Sequence, residues 1–406
     1  MGIEGMDDKY FIRKILIAIA IGIGVGFFFK DYVFMLDVLG KIFLRSMQMA
    51  IPLLVLGQVV QALGSLEKKD LSVLGMRTIT VFGISSLLAA YWGILFSLIF
   101  QPGKGVAIPQ SGLDGVKEQT IDFAETAISF FPQNIMDSLT RGSIIQIIIF
   151  AIFLGIALNM FLSKKPNSIV LPFLIDFNEI IMNVIRLVMK FAPIGIFSMI
   201  AVSVGNLGLD ILIPMIKYLL VFAIATLSFL LFWVIIVVMY CKKSFKSIMI
   251  GMKSISLVAL ATTSSAVTLP IALEDTHKKL GVSKRVVDLV LPMGVSLNSN
   301  GSAMHMAITV ITISQLYGIN FNIVSVLYIG ILATFISLAN AVVPGAGLVS
   351  LAIIVPQLGL PIESIALFAG VEWFVGMLRT ITNVNSDVFS AVVVDKMSKI
   401  GVRENI

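Results

Sequence analysis

Residues Trp373–Val394 read WFVGMLRTITNVNSDVFSAVVV, an apolar run broken at its centre by Arg379, Thr380, Thr382, Asn383, Asn385 and Asp387. A helix of about 20 apolar residues crosses a bilayer, so the polar group sits at mid-depth. A guanidinium placed there costs about 2.5–3.5 kcal/mol on insertion scales, and something anionic must compensate. Glu372 lies seven residues before Arg379 and Asp387 eight after it. Both share its face but stand roughly 11 Å away along the axis, which disfavours a direct bridge. The spacing therefore points to a fork of donors waiting for a carboxylate from outside the chain. Arg379, Asn383 and Asp387 follow each other at i, i+4 and i+8, one stripe offering a cation, an amide and a carboxylate.

The rest of the chain agrees with a membrane setting. Of 406 residues, 58% are hydrophobic and 13% charged, against roughly 25% charge in a soluble domain. So few charges cannot cover so large an apolar interior, which excludes a soluble globular enzyme, a disordered chain and a fibre. The net charge of +6 comes from short basic tracts between apolar segments, such as Lys68-Lys69, Lys164-Lys165, Lys242-Lys243 and Lys284-Arg285. That distribution follows the positive-inside rule and speaks against nucleic-acid binding. The single cysteine, Cys241, forms no intrachain disulfide. The apolar run from Phe11 has no small-residue cleavage site after it and reads as a retained first helix.

Hydropathy predicts helices over Phe11–Phe29, Tyr32–Leu63, Thr78–Phe100, a broken one through Phe123–Phe161, Ile169–Val204 and Ile211–Tyr240. The loop Gln101–Thr120 mixes charges and is placed outside, and the N-terminus inside. Beyond Ser247 the pattern changes. Ile248–Leu260 leads into Ala261-Thr262-Thr263-Ser264-Ser265, then Thr268-Leu269-Pro270 and more apolar chain. Ile323–Ile362 repeats the design, with Ser337-Leu338-Ala339-Asn340 and Val343-Pro344-Gly345-Ala346-Gly347 at its centre. Each is followed by a helix with polar residues at mid-depth, the first carrying Asn298-Ser299-Asn300-Gly301-Ser302. Two broken hairpins entering from opposite faces form an inverted repeat, the pattern of a secondary transporter. Irregular backbone survives at that depth only where it lines a cavity or is buried in protein.

Several residues carry chemistry. Ser264 and Ser265 at the first tip, and the Gly-rich second tip, present hydroxyls and backbone N–H groups to an anion. Asp387, Asn383 and Asn298 offer oxygen ligands to a hard cation, and the unwound Asn298–Gly301 stretch offers carbonyls. The competing reading is that Asn and Ser simply hydrogen-bond between helices. His277 falls in a basic loop and His305 on a packed helix, with no Cys/His cluster, Walker loop, HExxH or hydrolase elbow. The chain is therefore not read as an enzyme.

Taken together, Phe43-Leu44-Arg45, Lys190–Phe197, Thr263-Ser264-Ser265 through Pro270, Asn298–Ser302, Val343–Gly347 and Arg379-Thr380 with Asn383 and Asp387 resemble the dicarboxylate/amino acid:cation symporter family over nearly the whole chain. That resemblance implies an all-α polytopic membrane protein of eight transmembrane helices plus two re-entrant helical hairpins. It also implies inverted repeats, an elevator mechanism and a homotrimer in the cell (inner or plasma) membrane, with both termini cytoplasmic. Residues 1–73 and 102–206 would form the scaffold, and 74–101 with 207–406 the transport domain. Substrate would meet Ser264, Ser265, Ser302, Val343, Pro344, Gly345, Ala346, Gly347, Gly376, Arg379, Thr380 and Asn383. Sodium would meet Gly294, Ser296, Asn298, Asn383 and Asp387, with Ser85, Ser86 and Asn300 matching a further site.

Three positions depart from the family's amino acid carriers. Their Asp three residues before the Arg, which holds the substrate ammonium, is Gly376 here. Dicarboxylate carriers have a small uncharged residue there. The Asp of the third sodium site is Asn300, and an aromatic hydroxyl beside it is Phe82. These changes lean toward C4-dicarboxylates and toward fewer sodium ions, or protons instead. No organic cofactor is expected. The leading reading is a symporter for small anionic dicarboxylates or acidic amino acids, coupled to sodium or protons. Its alternatives are an aspartate/glutamate-selective symporter with altered sodium coupling, and an anion channel.

Overall fold

The computed structural model describes residues 8–65, 73–105, 128, 130–338 and 346–403, and among these the chain is all-helical. Helix α1 (Asp8–Phe28) is followed by α2 (Phe34–Gln48) and α3 (Ile51–Gly64). The sequence predicts one helix over Tyr32–Leu63, but it breaks at Met49-Ala50, where Pro52 occupies the first turn of α3. Proline cannot donate to the preceding turn, so the interruption is local chemistry. After α4 (Val73–Phe100) come α5 (Ile135–Arg141) and α6 (Ile144–Lys164). Asn134 caps α5 by accepting the Met136 N–H, and Gly142 ends it at φ 66°. The predicted loop Gln101–Thr120 and the start of the Phe123–Phe161 segment lie largely outside the described residues.

Next come α7 (Val170–Met189) and α8 (Ala192–Leu207), split at Lys190-Phe191 with Pro193 in the first turn of α8, then α9 (Leu212–Met239). The first polar break then appears as α10 (Phe245–Thr262) and α11 (Ser265–Lys278), packed against each other. Thr263 ends α10 in the left-handed region at φ 49°, and Ser264 caps α11 by accepting the Val267 N–H. His277 belongs to the last turn of α11 rather than to a loop, its Nδ1 2.8 Å from the Val282 carbonyl. The fold closes with α12 (Lys284–Leu297), α13 (Asn300–Leu316), α14 (Ile323–Ser337), α15 (Ala346–Gln357), the short α16 (Ile365–Ala369) and α17 (Glu372–Arg403).

Among the described residues, four helical stretches are long and apolar enough to span a bilayer by themselves, six if each bent pair counts once. The number is small because polar breaks and prolines divide several apolar segments into halves.

Helix α13 is the centre of the packing. Every residue from Asn300 to Leu316 except Gln315 is buried. Gln315 Nε2 donates to the Ser97 carbonyl of α4 at 2.9 Å, and its Oε1 accepts the Gly103 N–H at 3.0 Å. An aromatic cluster of Trp92, Phe96, Phe229 and Phe232 joins α4 to α9, with Trp92 Nε1 donating to Ser228 Oγ at 2.9 Å. Helices α4 and α9–α17 pack mainly on one another, while α1, α2, α3, α6, α7 and α8 form a second set. Contact between the sets runs through α14, α15 and α16, with a smaller patch of α12 on α3.

Small residues let helices of the second set approach closely, as lipid-embedded helices must when burial drives little association. A methyl group at Gly22 would fall 2.9 Å from the Phe197 carbonyl, and one at Gly26 2.9 Å from Val204 Cβ. Between them Gly24 meets nothing within 4 Å. Gly26→Leu should therefore lower the melting temperature of the detergent-solubilised protein, by an overpacking cost of about 1–3 kcal/mol. Gly24→Leu should leave it within a degree or two. Equal melting temperatures for the two variants would contradict the α1–α8 packing.

Candidate functional site

The polar centre of α17 meets the break between α12 and α13. There Leu297 ends one helix and Asn300 begins the next, so Asn298 and Ser299 lie in irregular backbone, both buried. Asn298 Nδ2 donates to Asp387 Oδ1 at 2.8 Å, while its Oδ1 accepts Ser85 Oγ of α4 at 3.2 Å. Asn300 Oδ1 accepts Ser86 Oγ at 2.7 Å and Ser85 Oγ at 3.3 Å. Gly301 N–H donates to Asn383 Oδ1 at 2.7 Å. Gly294 faces the same carboxylate so closely that a methyl would fall 2.6 Å from Asp387 Oδ1. Its carbonyl accepts the Asn298 N–H at 2.9 Å. The predicted Gly294, Asn298, Asn383, Asp387, Ser85, Ser86 and Asn300 thus come together across α4, α12, α13 and α17.

One carboxylate amid amide and hydroxyl oxygens suits a hard monovalent cation better than a transition metal. Among the described residues no three His, Cys, Asp or Glu side chains cluster as metal ligands. The Asn300 amide nitrogen is buried with no hydrogen-bond partner, and Phe82 is 2% exposed. Asn300 turns its oxygen toward Ser85 and Ser86, but as an amide it brings no negative charge to balance a cation at that corner. Ser296, next to the last residue of α12, is exposed.

Above this cluster on α17 lies Arg379, 5% exposed. The sequence spacing, which disfavours a direct bridge to Glu372, is corrected here. Glu372 Oε1 accepts Arg379 Nη1 at 3.1 Å, both side chains being buried. The spacing argument counted the axial rise of seven residues, about 10.5 Å, and left out side-chain length. Helical side chains tilt toward the N-terminus, so a long arginine reaches back along the face. Asp387 does not join this pair; its partner is Asn298.

The second tip approaches the same group. Gly347, in the first turn of α15, donates its N–H to Glu372 Oε1 at 3.0 Å, and a methyl there would collide with the carboxylate and the guanidinium. Val343, Pro344 and Gly345 lie outside the described residues, and Ala346 opens α15. Gly376 is buried, and the nearest atom to a methyl built on it is Arg379 Nη2 at 4.0 Å. Space therefore opens beside the guanidinium. Among the described residues Arg379 makes one hydrogen bond, leaving Nε and Nη2 for a ligand. Thr380 and Ser302 are buried near this level, while Ser264 and Ser265 are half-buried in their own turn. The first hairpin is tied to α17 one turn lower, by Asn385 Nδ2 donating to Ser256 Oγ at 3.0 Å.

Two features escaped the sequence reading. The Glu372 contact needed side-chain reach, and the Asn385–Ser256 link needed the packing of α10 on α17. Neither leaves a local signal.

Comparison with known proteins gives a consistent result. A family model described as the sodium:dicarboxylate symporter family matches residues 11–397. The proton/glutamate-aspartate symporter of Bacillus subtilis (strain 168) is 30% identical over 400 residues, covering 96% of this chain and 95% of the relative. The proton/sodium-glutamate symport protein of Geobacillus stearothermophilus is 34% identical over 373 residues, 89% and 87% of the two chains. The C4-dicarboxylate transport protein of Anaeromyxobacter sp. (strain K) is 28% identical over 395 residues, 94% and 88% of the two chains.

The close approach of α13 to α17 gives a test of this geometry. A methyl at Gly301 would fall 2.9 Å from both backbone carbons of Arg379, whereas one at Gly83 meets nothing within 4 Å. Gly301→Ala should cost about 1–3 kcal/mol through overpacking. Gly83→Ala should be neutral or slightly stabilising, since alanine favours helix by about 1 kcal/mol. Melting curves in detergent separate the two.

Proposed function

The chain belongs to the sodium:dicarboxylate symporter family, and from that premise we propose how it selects and couples its cargo. It is a multi-pass membrane protein and a secondary transporter, not an enzyme. Its cargo is a small carboxylate anion, of the dicarboxylate or acidic amino acid kind, moved together with a cation.

The single observation that carries the finer reading is the gap at Gly376 beside Arg379 Nη2. A carboxylate entering that gap meets Nη2 and Nε as a fork, which favours planar anions. A substrate ammonium would meet no acid at Gly376, and burying an unpaired charge is costly. The site therefore favours C4-dicarboxylates such as succinate or malate over aspartate. Asn383 and Thr380 on the next turn, Ser302 on α13 and Ser264-Ser265 at the first tip complete the substrate shell, with the second tip from Val343 to Gly347 as its cover.

Coupling runs through the neighbouring oxygen cluster. Asp387, Asn298, Asn383 and the Gly294 and Ser296 carbonyls hold sodium as cargo. Asn383 belongs to both clusters, since its Oδ1 takes the Gly301 N–H while its backbone neighbours Arg379 by one turn. Ordering that stretch for one ligand favours the other, which makes the two binding events cooperative. With Asn300 and Phe82 in place, the corner at Ser85 and Ser86 takes no sodium, and either fewer sodium ions or protons accompany the substrate.

The architecture follows the same proposal: eight transmembrane helices and two re-entrant hairpins, α10–α11 and α14–α15, with both termini cytoplasmic in the plasma membrane. The set α4 with α9–α17 acts as the moving domain. The remaining helices form a scaffold that assembles as a homotrimer, and transport is by an elevator displacement. The separation of the two packing sets supports this division.

Uptake of labelled succinate, malate, aspartate and glutamate into proteoliposomes, under separate sodium and proton gradients, tests the reading. Succinate or malate uptake driven by one of these gradients is expected. Arg379→Ala should abolish it while the protein still folds, and normal succinate affinity in that variant would refute the clamp. Gly376→Asp should shift preference toward aspartate over succinate by about tenfold or more, the scale of leaving one buried charge unpaired in the disfavoured complex. An unchanged ratio would remove Gly376 from specificity.

A further inference from the structure

Glu372 has a geometry that a purely structural partner of Arg379 does not require. Its Oε1 accepts two donors, Arg379 Nη1 at 3.1 Å and Gly347 N–H at 3.0 Å. Its Oε2 is buried without any partner. A settled arginine–carboxylate pair usually closes as a two-pronged fork, satisfying both oxygens. Here one prong is made, one oxygen is stranded, and among the described residues the guanidinium makes no other hydrogen bond. A buried carboxylate oxygen without a donor is unfavourable, so the pairing is a compromise open to replacement.

The two donors holding Glu372, one on α17 and one at the second hairpin tip, are those left for a dicarboxylate's second carboxylate once its first occupies Arg379 Nη2 and Nε. Glu372 is also the first residue of α17, following an 86° bend between Ile362–Ala369 and that helix. A carboxylate released there remains at a helix N-terminus, where the backbone dipole favours negative charge. Both its bound and its displaced positions are thus electrostatically supported.

We propose that Glu372 is a built-in occupant of the subsite for the cargo's second carboxylate, which latches the second hairpin through Gly347 when no substrate is present and yields to that carboxylate when a dicarboxylate binds. The inference rests on the proposal that Arg379 clamps a carboxylate cargo. Without substrate, the latch neutralises Arg379, so the guanidinium never stands alone in a water-poor interior. With substrate, one carboxylate takes the Nη2 and Nε fork while the other takes over Arg379 Nη1 and the Gly347 N–H, and the hairpin stays fastened by a different anion. Glu372 thereby acts as an intramolecular competitor, and apparent substrate affinity reports the difference between two carboxylates rather than one contact. Gly347 has to be glycine because any side chain there would displace the latch.

Hydrogen–deuterium exchange of the ligand-free full-length carrier tests this, read on peptides covering Ala346–Gln357. In Glu372→Gln the charge is lost with shape retained. The Gly347 amide should exchange about tenfold faster or more than in the unmodified protein, the scale of a lost charge-assisted hydrogen bond. Adding succinate should restore protection, and the KM for succinate uptake should fall by several-fold as competition disappears. Glu372→Asp keeps the charge but shortens the reach, and should also speed tip exchange. It serves as the second variant if the glutamine form does not fold. Equal exchange at the tip in unmodified and variant proteins without substrate would overturn the latch, and a raised KM in Glu372→Gln would overturn the competitor role. The ligand-free comparison needs no cargo. If it shows faster exchange while none of succinate, malate, aspartate or glutamate restores protection, the latch stands and the dicarboxylate reading falls.

Discussion

A guanidinium inside an apolar helix bundle must always have an anion beside it. The low-dielectric interior magnifies both its attraction to a partner and the penalty for lacking one. Much of the C-terminal half can be derived from that requirement. The carboxylate of Glu372 supplies the anion, Gly347 brings a hairpin tip against the same oxygen, and Gly376 leaves the far side of the guanidinium open. Arg379 is thereby neutral in pairing yet unfinished in hydrogen bonding. A cargo-binding group needs that combination, because a fully satisfied arginine would bind nothing and a bare one would destabilise the fold.

A second, weaker constraint acts one to two turns away. Asp387 is also buried, and its hydrogen-bond partner among the described residues is an amide, Asn298, rather than a cation. The cluster around it gathers oxygen-bearing side chains from α4, α13 and α17 and from Asn298 in the break between α12 and α13. The broken backbone between α12 and α13 serves this cluster and the arginine together. Gly301 presses on the Arg379 backbone while its N–H holds Asn383. The oxygen cluster and the arginine share structural members, so neither can be rearranged alone.

Much of this was legible in the sequence, and the limits are physical. The membrane setting followed from composition, and the polar breaks at Thr263-Ser264 and Asn298-Ser299 were visible as interruptions of apolar runs. The oxygen cluster was found because its members recur as short polar motifs. The breaks at Met49-Ala50 and Lys190-Phe191 were missed although Pro52 and Pro193 marked them, because hydropathy continues across a proline-started helix. The Glu372 contact was misjudged because rise per residue describes the backbone, and a flexible side chain can close several ångströms of it. His277 was placed in a loop on the strength of its basic neighbours, whereas the helix runs through them to Lys278.

Helix α13 is enclosed on nearly every side, with Gln315 the one residue not buried. Its side chains are hemmed in by neighbours from α4, α9 and α17, and few alternatives of equal volume would fit. Drift in cargo preference over evolutionary time is therefore channelled away from this core. It is left to places where a side chain can be gained or lost without disturbing the scaffold, such as the void at Gly376. One inner helix is packed too tightly to admit new side chains, whereas the position of Gly376 has room for one beside Arg379.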